Sequence, residues 1–175
     1  METNNKKKVI LDLCGGTGAW SAPYKKNGYT VHNITLPKYD ITKEIVISYC
    51  KSLNPYGTLF AAPCTMWSNV ANAHWKKRTS DEIFHHVRIL IAGLRIIHET
   101  NPVFWCIENP KGKMRQLLGE PKFKFHPFEF GDNYTKLTYL WGKFNLPIKK
   151  DLISKNIKRN FTLEFPPGPL RQERR

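Results

Sequence analysis

The chain has 175 residues, with 28 Lys and Arg against 14 Asp and Glu, so its formal net charge is +14. Hydrophobic residues make up 41% of the chain, which is enough to bury one core and excludes an intrinsically disordered chain, a collagen-like repeat and a disulfide-stapled miniprotein. The longest apolar run, residues 89–94, is far shorter than the roughly 20 residues of a membrane span, and a single domain is expected at this length.

Four apolar segments have the character of strands that lead into turns. The first ends at a cluster of glycines, the third at a proline and the fourth at a glutamate, while the second has a weaker apolar pattern. We predict strands at residues 9–13, 29–34, 58–62 and 103–107.

A helix is predicted between the third and fourth strands. Thr79 and Glu82 have the spacing of a capping box, in which the side chain of each residue accepts a hydrogen bond from the backbone of the other. Apolar residues keep helical spacing from residue 83 to residue 97, and Asn101-Pro102 is expected to end the helix.

The order strand, turn, helix and strand favours an α/β fold, with a mostly parallel sheet and helices on both faces. Residues 138–144 are expected to add an antiparallel strand. Residues 1–165 are then one domain, and residues 166–175, rich in Pro and Arg, are expected to be a flexible tail. Ligands bind at the carboxyl ends of the strands in such sheets, so the residues that follow the predicted strands are the functional candidates.

The first candidate is the glycine-rich turn Asp12-Leu13-Cys14-Gly15-Gly16-Thr17-Gly18. Glycine adopts positive φ and lets a ligand approach the backbone, and a following helix offers free N–H groups. The spacing matches neither the phosphate loop nor the full dinucleotide fingerprint, so ATP and dinucleotides are disfavoured. A nucleoside-like cofactor and a merely tight corner between strand and helix are both consistent with this turn.

Cys64 and Glu108 come at the ends of two other predicted strands. Cys64 is either a nucleophile at the ligand-binding edge or a buried, inert cysteine. Glu108 follows an apolar segment that would raise its pKa and suit it to donate a proton; alternatively, it pairs with Lys111 or Lys113. If the two meet at one edge, the thiol can add to C6 of a pyrimidine while the acid stabilises the ring nitrogen, and C5 can then take a methyl group.

The charge and the cysteines limit the partners and the compartment. The positive excess favours a polyanion, with nucleic acid ahead of an anionic membrane, and a merely solvated basic surface is the alternative. The cysteines lie far apart without a CxxC pair, so neither a zinc site nor a redox pair is supported, and no metal is expected. Reduced thiols and the lack of a secretory pattern indicate a cytoplasmic protein that is not secreted.

Four segments, in this order, resemble the DNA (cytosine-5)-methyltransferases, and most of all the short phage-type cytosine-specific DNA methylases. They are the glycine turn, Asp40-Ile41, Ala62-Pro63-Cys64 with Ser68, and Ile107-Glu108-Asn109-Pro110. The resemblance extends over residues 9–141. It implies a Rossmann-like, S-adenosylmethionine (SAM)-dependent methyltransferase domain without a large target-recognition domain.

The resemblance also implies a role for each site residue. Cys64 would add to C6 of cytosine, and Glu108 would contact ring N3. Trp20 would pack on the adenine of SAM, and Asp40 with Ile41 would read the adenine edge. The other expected cofactor contacts, mostly around the methionine part of SAM, are Asp12, Cys14, Gly15, Gly16, Thr17, Gly18 and Pro63.

Two segments depart from the family pattern. Thr35-Leu36-Pro37 occupies the end of the second strand, where the family carries an acidic residue for the ribose of the cofactor. Tyr134-Thr135-Lys136-Leu137-Thr138 matches a stretch in which the wider family carries two arginines that support the catalytic loop and the base. Only Lys136 keeps a positive charge there, and we expect it to act in catalysis.

The function implied by the resemblance is transfer of a methyl group from SAM to C5 of cytosine in DNA through a covalent Cys64 adduct, with the base flipped out of the duplex. Two alternatives stay open: the same chemistry on RNA or a free pyrimidine nucleotide, and a catalytically inactive module that binds nucleic acid. Without a large target-recognition domain, sequence selectivity would be short or weak, or would come from a partner subunit; a homodimer is also open.

Overall fold

The apolar segments of the chain pair into one six-stranded sheet. The structure is a computed structural model that describes residues 4–69 and 75–149. Its strands are β1 (Val9–Leu13), β2 (Thr30–Ile34), β3 (Gly57–Ala61), β4 (Phe104–Pro110), β5 (Phe123–Phe125) and β6 (Thr138–Lys143). Its α-helices are α1 (Ala22–Lys26), α2 (Glu44–Ser52), α3 (Ser80–Thr100) and α4 (Arg115–Leu118), and single 3-10 turns lie at Asn5–Lys7, Trp75–Lys77 and Pro127–Phe130.

Successive strands are added first on one side of β1 and then on its other side. The order is β2-β1-β3-β4-β6-β5, in which β1 to β4 pair in parallel and β6 runs antiparallel between β4 and β5. From β1 the chain passes to β2 on one side, and then returns through α2 to β3 on the other side. The carboxyl ends of β1 and β3 therefore flank a topological switch point, where open α/β sheets bind their ligands.

The prediction of a mostly parallel α/β sheet with helices on both faces is confirmed. Every predicted strand is present, and its ends agree within one residue except at the end of β4. Glu108, Asn109 and Pro110 were expected to follow that strand but belong to it, because they pair with β6 as far as Thr138. The predicted tail at residues 166–175 lies outside the described residues.

Helix α3 begins and ends at the residues that the sequence indicates. Thr79 Oγ1 accepts a hydrogen bond from the Glu82 backbone, and Glu82 Oε2 accepts one from the Thr79 backbone, both at 3.2 Å. Asn101 then ends the helix in the left-handed conformation, with φ of 42°. Neither this helix nor any other in residues 4–69 and 75–149 is long and apolar enough to cross a membrane.

Helix α2 was not predicted, because its Ile45-Val46-Ile47 segment is β-branched and such residues favour strands. Tertiary contacts explain why this segment is helical. Val46 and Ile47 are buried in the core, and Arg95 of α3 donates two hydrogen bonds to Glu44, at 2.6 and 2.8 Å.

The two faces of the sheet are covered unequally. On the first face, Leu11, Phe60 and Ile107 pack with α2 and α3 in the main core. On the second face a smaller buried cluster is covered by Tyr24 of α1 and by partly buried aromatic rings. The residues of this smaller cluster are Ile10, Leu59, Cys106 and Leu140.

Close packing of α3 on β3 gives a first testable prediction. A Cβ at Gly93 would lie 2.1 Å from Cε1 of Phe60, which is fully buried. We expect Gly93→Ala to lower the free energy of unfolding by about 1–3 kcal/mol through overpacking, although Ala favours helix over Gly by about 1 kcal/mol. The matched control is Ile91→Ala at an exposed position of the same helix, and chemical denaturation measures both. A Gly93→Ala protein as stable as the parent would contradict the packing described.

Candidate active site

Three segments that were singled out in the sequence meet at the carboxyl edge of the parallel strands. The glycine turn follows β1, Pro63-Cys64 follows β3, and Glu108 lies near the end of β4. Because the pairing of β3 with β4 places Ala61 opposite Glu108, the start of the Cys64 loop and the glutamate lie side by side.

The glycine turn is held by its own backbone and by one side chain from β2. Gly16 and Gly18 have φ of 54° and 75°, which a residue with a side chain rarely adopts. The Gly18 N–H donates to the Gly15 carbonyl at 2.8 Å, and the Asn33 side chain donates to the Gly16 carbonyl at 2.9 Å. Gly16 and Thr17 are exposed, so the turn presents the Gly16 backbone to solvent.

Asp12 lies beneath this turn and is fully buried. Its Oδ2 accepts a hydrogen bond of 2.5 Å from the Ser21 hydroxyl, whereas its Oδ1 is buried without a hydrogen-bond partner among the described residues. Burial raises the pKa of Asp12, and the hydrogen bonds from Ser21 offset part of this. A Cβ at Gly15 would lie 2.3 Å from Cγ of Asp12, so the turn wraps tightly around a carboxyl group that keeps one free acceptor.

Asp40 lies close enough to this turn for its charge to act on Cys14. Burial raises its pKa, but hydrogen bonds from the hydroxyl and the backbone N–H of Thr42, at 2.7 and 2.9 Å, outweigh burial, and the net pKa is lowered. Burial, together with the negative charges of Asp12 and Asp40, raises the pKa of Cys14 to about 12. At physiological pH the Cys14 side chain is therefore a neutral thiol.

The other residues expected at the cofactor contribute to the core or its margin. Ile41 is buried in the main core, and Trp20 packs against the smaller cluster on the second face of the sheet. Pro63 is partly exposed where the chain leaves β3. A contact between these three residues and a cofactor stays a prediction.

The loop that carries Cys64 is held by backbone hydrogen bonds. The carbonyl of Cys64 accepts from the N–H groups of Trp67 and Ser68, at 3.0 and 2.9 Å. Arg78 donates to the next carbonyl, that of Thr65, at 2.6 Å. Cys64 is a partly exposed residue, unlike Cys50 and Cys106, which are buried.

Asn109 joins this loop to β4. Its fully buried side chain donates to the Ala62 carbonyl at 2.7 Å. Beyond β4, Gly112 pairs with Ser68, and a Cβ at Gly112 would lie 1.8 Å from the carbonyl oxygen of Trp67. The two segments are therefore fixed against each other on both sides of Cys64.

Glu108 and Lys136 form an ion pair at this edge, with 3.8 Å between Oε1 and Nζ. Lys136 reaches this position because Thr138, at the start of β6, pairs with Pro110 at the end of β4. The Glu108 side chain is 24% exposed. Burial raises the pKa of this carboxyl group, and the charge of Lys136 lowers it in part, so Glu108 holds its proton to a higher pH than an ordinary glutamate.

The same two charges act on Cys64. Burial raises the pKa of the Cys64 thiol, the positive charge of Lys136 lowers it, and the negative charge of Glu108 raises it. The structure thus brings together the three residues that were predicted to act in catalysis. A partly exposed thiol beside a shielded carboxylic acid can add to an electron-poor ring carbon while a proton is shared with the ring.

Two residues of this arrangement have roles that the sequence did not reveal. Asn109 belongs to a motif that the sequence analysis singled out, but its hydrogen bond to the Ala62 carbonyl depends on the tertiary structure. A polar residue on an apolar strand needs a hydrogen-bond partner when it is buried, and this was the one sign in the sequence that Asn109 makes such a bond. Arg78 donates a hydrogen bond to the loop that carries Cys64, and the sign in the sequence was its position directly before the capping box of α3.

Within residues 4–69 and 75–149, no group of three or more His, Cys, Asp or Glu could hold a metal ion.

The opposing charges around Cys64 give a second prediction. At pH 8 we expect Glu108→Gln to speed the alkylation of Cys64 by iodoacetamide, since it removes a negative charge, and Lys136→Met to slow it, since it removes a positive one. In the parent protein the rate should rise about tenfold per pH unit between pH 7 and 8, because the raised pKa keeps the thiol mainly protonated there. Mass spectrometry of the Cys64 peptide measures these rates.

The matched control is Lys124→Met on β5, which removes a lysine paired with Glu120. This variant should alkylate at the parental rate. Equal rates in all the variants would mean that neither charge reaches the thiol.

Comparison with known proteins supports the fold. No protein-family model matches the chain, and no curated protein matches it. A solved structure from E. coli, described by inference as a DNA modification methyltransferase encoded within a prophage, is similar with a TM-score of 0.52 and 17% sequence identity. The match covers 78% of this chain and 46% of that one, so this chain spans about half the length of its structural neighbour.

Proposed function

We propose that this chain transfers a methyl group from SAM to C5 of cytosine in DNA, with Cys64 as the nucleophile. The observation that carries the proposal is the convergence of Cys64, Glu108 and Lys136 at the carboxyl edge, beside the glycine turn. The fold shared with a protein described as a DNA modification methyltransferase supports the methyl-transfer part of the proposal.

In the proposed reaction, the Cys64 thiolate forms a carbon–sulfur bond to C6 of cytosine while Glu108 hydrogen-bonds ring N3 and shares its proton with it. The electron pair of the C5–C6 double bond is then available at C5, which would take the methyl group as the bond between that methyl group and the positively charged sulfur of its donor breaks, leaving a neutral thioether. The proton on C5 leaves to water, the double bond forms again, and the Cys64 thiolate is expelled. The positive charge of Lys136 offsets part of the effect of burial, since it lowers the pKa of both the Cys64 thiol and the Glu108 carboxyl group.

The glycine turn has the features needed to hold SAM, which when bound supplies the methyl group on a positively charged sulfur. Asp12, buried beneath the turn, would place its carboxyl group behind the backbone that meets the positively charged methionine part of SAM. Gly16 and Gly18 allow a ligand to approach the backbone, and Asp40 adds negative charge nearby.

DNA is the proposed substrate because of the net charge of +14. Lysine and arginine contacts to phosphates would hold the duplex and set its register, whereas recognition of the base would be left to the residues around Cys64. The target carbon lies inside the base stack of a duplex, so the cytosine must flip out, at a cost of about a few kcal/mol.

The test measures methyl transfer with labelled SAM. Duplex DNA, RNA and dCMP are incubated separately with the protein and digested to nucleosides, and 5-methylcytosine is expected from DNA. We expect Cys64→Ala to abolish this product, and Glu108→Gln to slow its formation by about 10²–10⁴-fold, as for the loss of a general acid. DNA containing 5-fluorocytosine should trap a covalent adduct on the parent protein.

The control for the nucleophile is Cys50→Ala, which removes a buried thiol of α2 and should still form the adduct. Methylation by Cys64→Ala at the parental rate would refute the assignment. If 5-methylcytosine formed only from RNA, or only from dCMP, that molecule and not DNA would be the substrate of the same reaction. The absence of both product and SAM binding would favour a nucleic-acid-binding module.

A further inference from the structure

A cavity of about 550 Å³ lies at the amino edge of the parallel strands, opposite the candidate active site. Phe104, at the start of β4, lines this cavity, whereas Glu108 lies about 13 Å further along the same strand, at roughly 3.3 Å per residue. The volume is within the range of roughly 300–1,000 Å³ found for small-molecule sites. Nothing in the proposed methyl transfer uses this cavity.

One wall of the cavity consists of aromatic rings that hold each other in place. Tyr24 stacks on Phe104, with ring centroids 5.7 Å apart and an interplanar angle of 16°. Tyr29 meets Tyr24 edge to face at 5.6 Å, and Tyr56 meets Phe104 in the same way at 5.9 Å. Gly57 makes room for this arrangement, since a Cβ there would lie 2.2 Å from the Phe104 ring.

The other walls carry positive charge. Lys122 and Lys143 line the cavity, and the Lys122 ammonium donates to the Phe144 carbonyl at 2.5 Å and lies 4.8 Å from the centre of the Phe144 ring. The Lys8 ammonium lies 4.8 Å from the centre of the Tyr56 ring, at the margin. Among the described residues that line the cavity, none is acidic.

We propose that this cavity binds a nucleotide, with the base against the Tyr24 and Phe104 rings and the phosphate near Lys122 and Lys143. The aromatic wall accepts the flat face of any base, since stacking on aromatic side chains depends little on base identity. The positive charges of Lys122 and Lys143 favour a ligand that carries an anionic group next to the base. A phosphate attached to a base meets both requirements, and it can belong to a free nucleotide or to a nucleotide within a single strand.

The test uses dAMP as the probe and backbone amide chemical shifts as the readout, on the full chain. Titration should shift the amides of Val103, Phe104, Phe144 and Asn145. Deoxyadenosine, which lacks the phosphate, should bind at least about tenfold more weakly. The double variant Lys122→Ala/Lys143→Ala should lose affinity for dAMP by a similar factor.

The matched control is Lys124→Ala, which removes a neighbouring lysine whose ammonium lies 5.6 Å from the centre of the Tyr139 ring, outside the cavity. This variant should bind dAMP like the parent. All three lysines are exposed, so the comparison does not depend on a core substitution that could prevent folding.

A four-nucleotide single strand, (dA)4, distinguishes the two sources of the ligand. Tighter binding of (dA)4 than of dAMP at the same amides indicates a nucleotide within a strand, and equal binding indicates a free nucleotide. The proposal is overturned if dAMP shifts only amides of residues 12–18, or if removing the phosphate or both lysines leaves the affinity unchanged. None of these readouts needs SAM or methyl transfer, so the proposal fails or stands separately from the proposed function.

Discussion

The buried hydrogen bond from the Asn109 side chain to the Ala62 carbonyl joins the end of β4 to the residue two positions before Cys64. Parallel pairing alone aligns Ala61 with Glu108, but the chain after β3 could then leave the sheet in several directions. Anchoring the Ala62 carbonyl determines where the Cys64 loop starts. Loss of this bond would leave a buried carbonyl without its donor, at a cost of about 1–3 kcal/mol, and would free the loop that carries the thiol.

In the proposed reaction Cys64 must act as a thiolate, although burial raises the pKa of its thiol. Burial and the Glu108 carboxylate both disfavour the thiolate, and Lys136 opposes them. When Glu108 holds a proton, one of the two unfavourable effects disappears. In the proposed reaction, the protonated form of Glu108 would therefore suit both proton sharing with the ring nitrogen and formation of the Cys64 thiolate.

Local patterns were sufficient for most of the fold. All strands except β5, together with α3, were predicted because apolar periodicity, the Thr79 capping box and the Asn101-Pro102 stop act within a few residues of one another. Helix α2 was missed, because its β-branched residues favour a strand and only burial against the core and pairing with Arg95 keep them helical. Strand β5 has only three residues and depends on β6 for its hydrogen bonds, so no periodic pattern indicated it.

The sequence by itself determined which chemical groups are present at the strand ends: a glycine turn, a cysteine after a proline, and a glutamate on an apolar strand. That Cys64 and Glu108 share one edge followed from the rule that parallel strands end together. Only the tertiary structure decided that Lys136 pairs with Glu108, and that an aromatic cavity opens at the opposite edge. Both depend on the antiparallel β6, whose register with β4 is a contact between distant parts of the chain that no local pattern encodes.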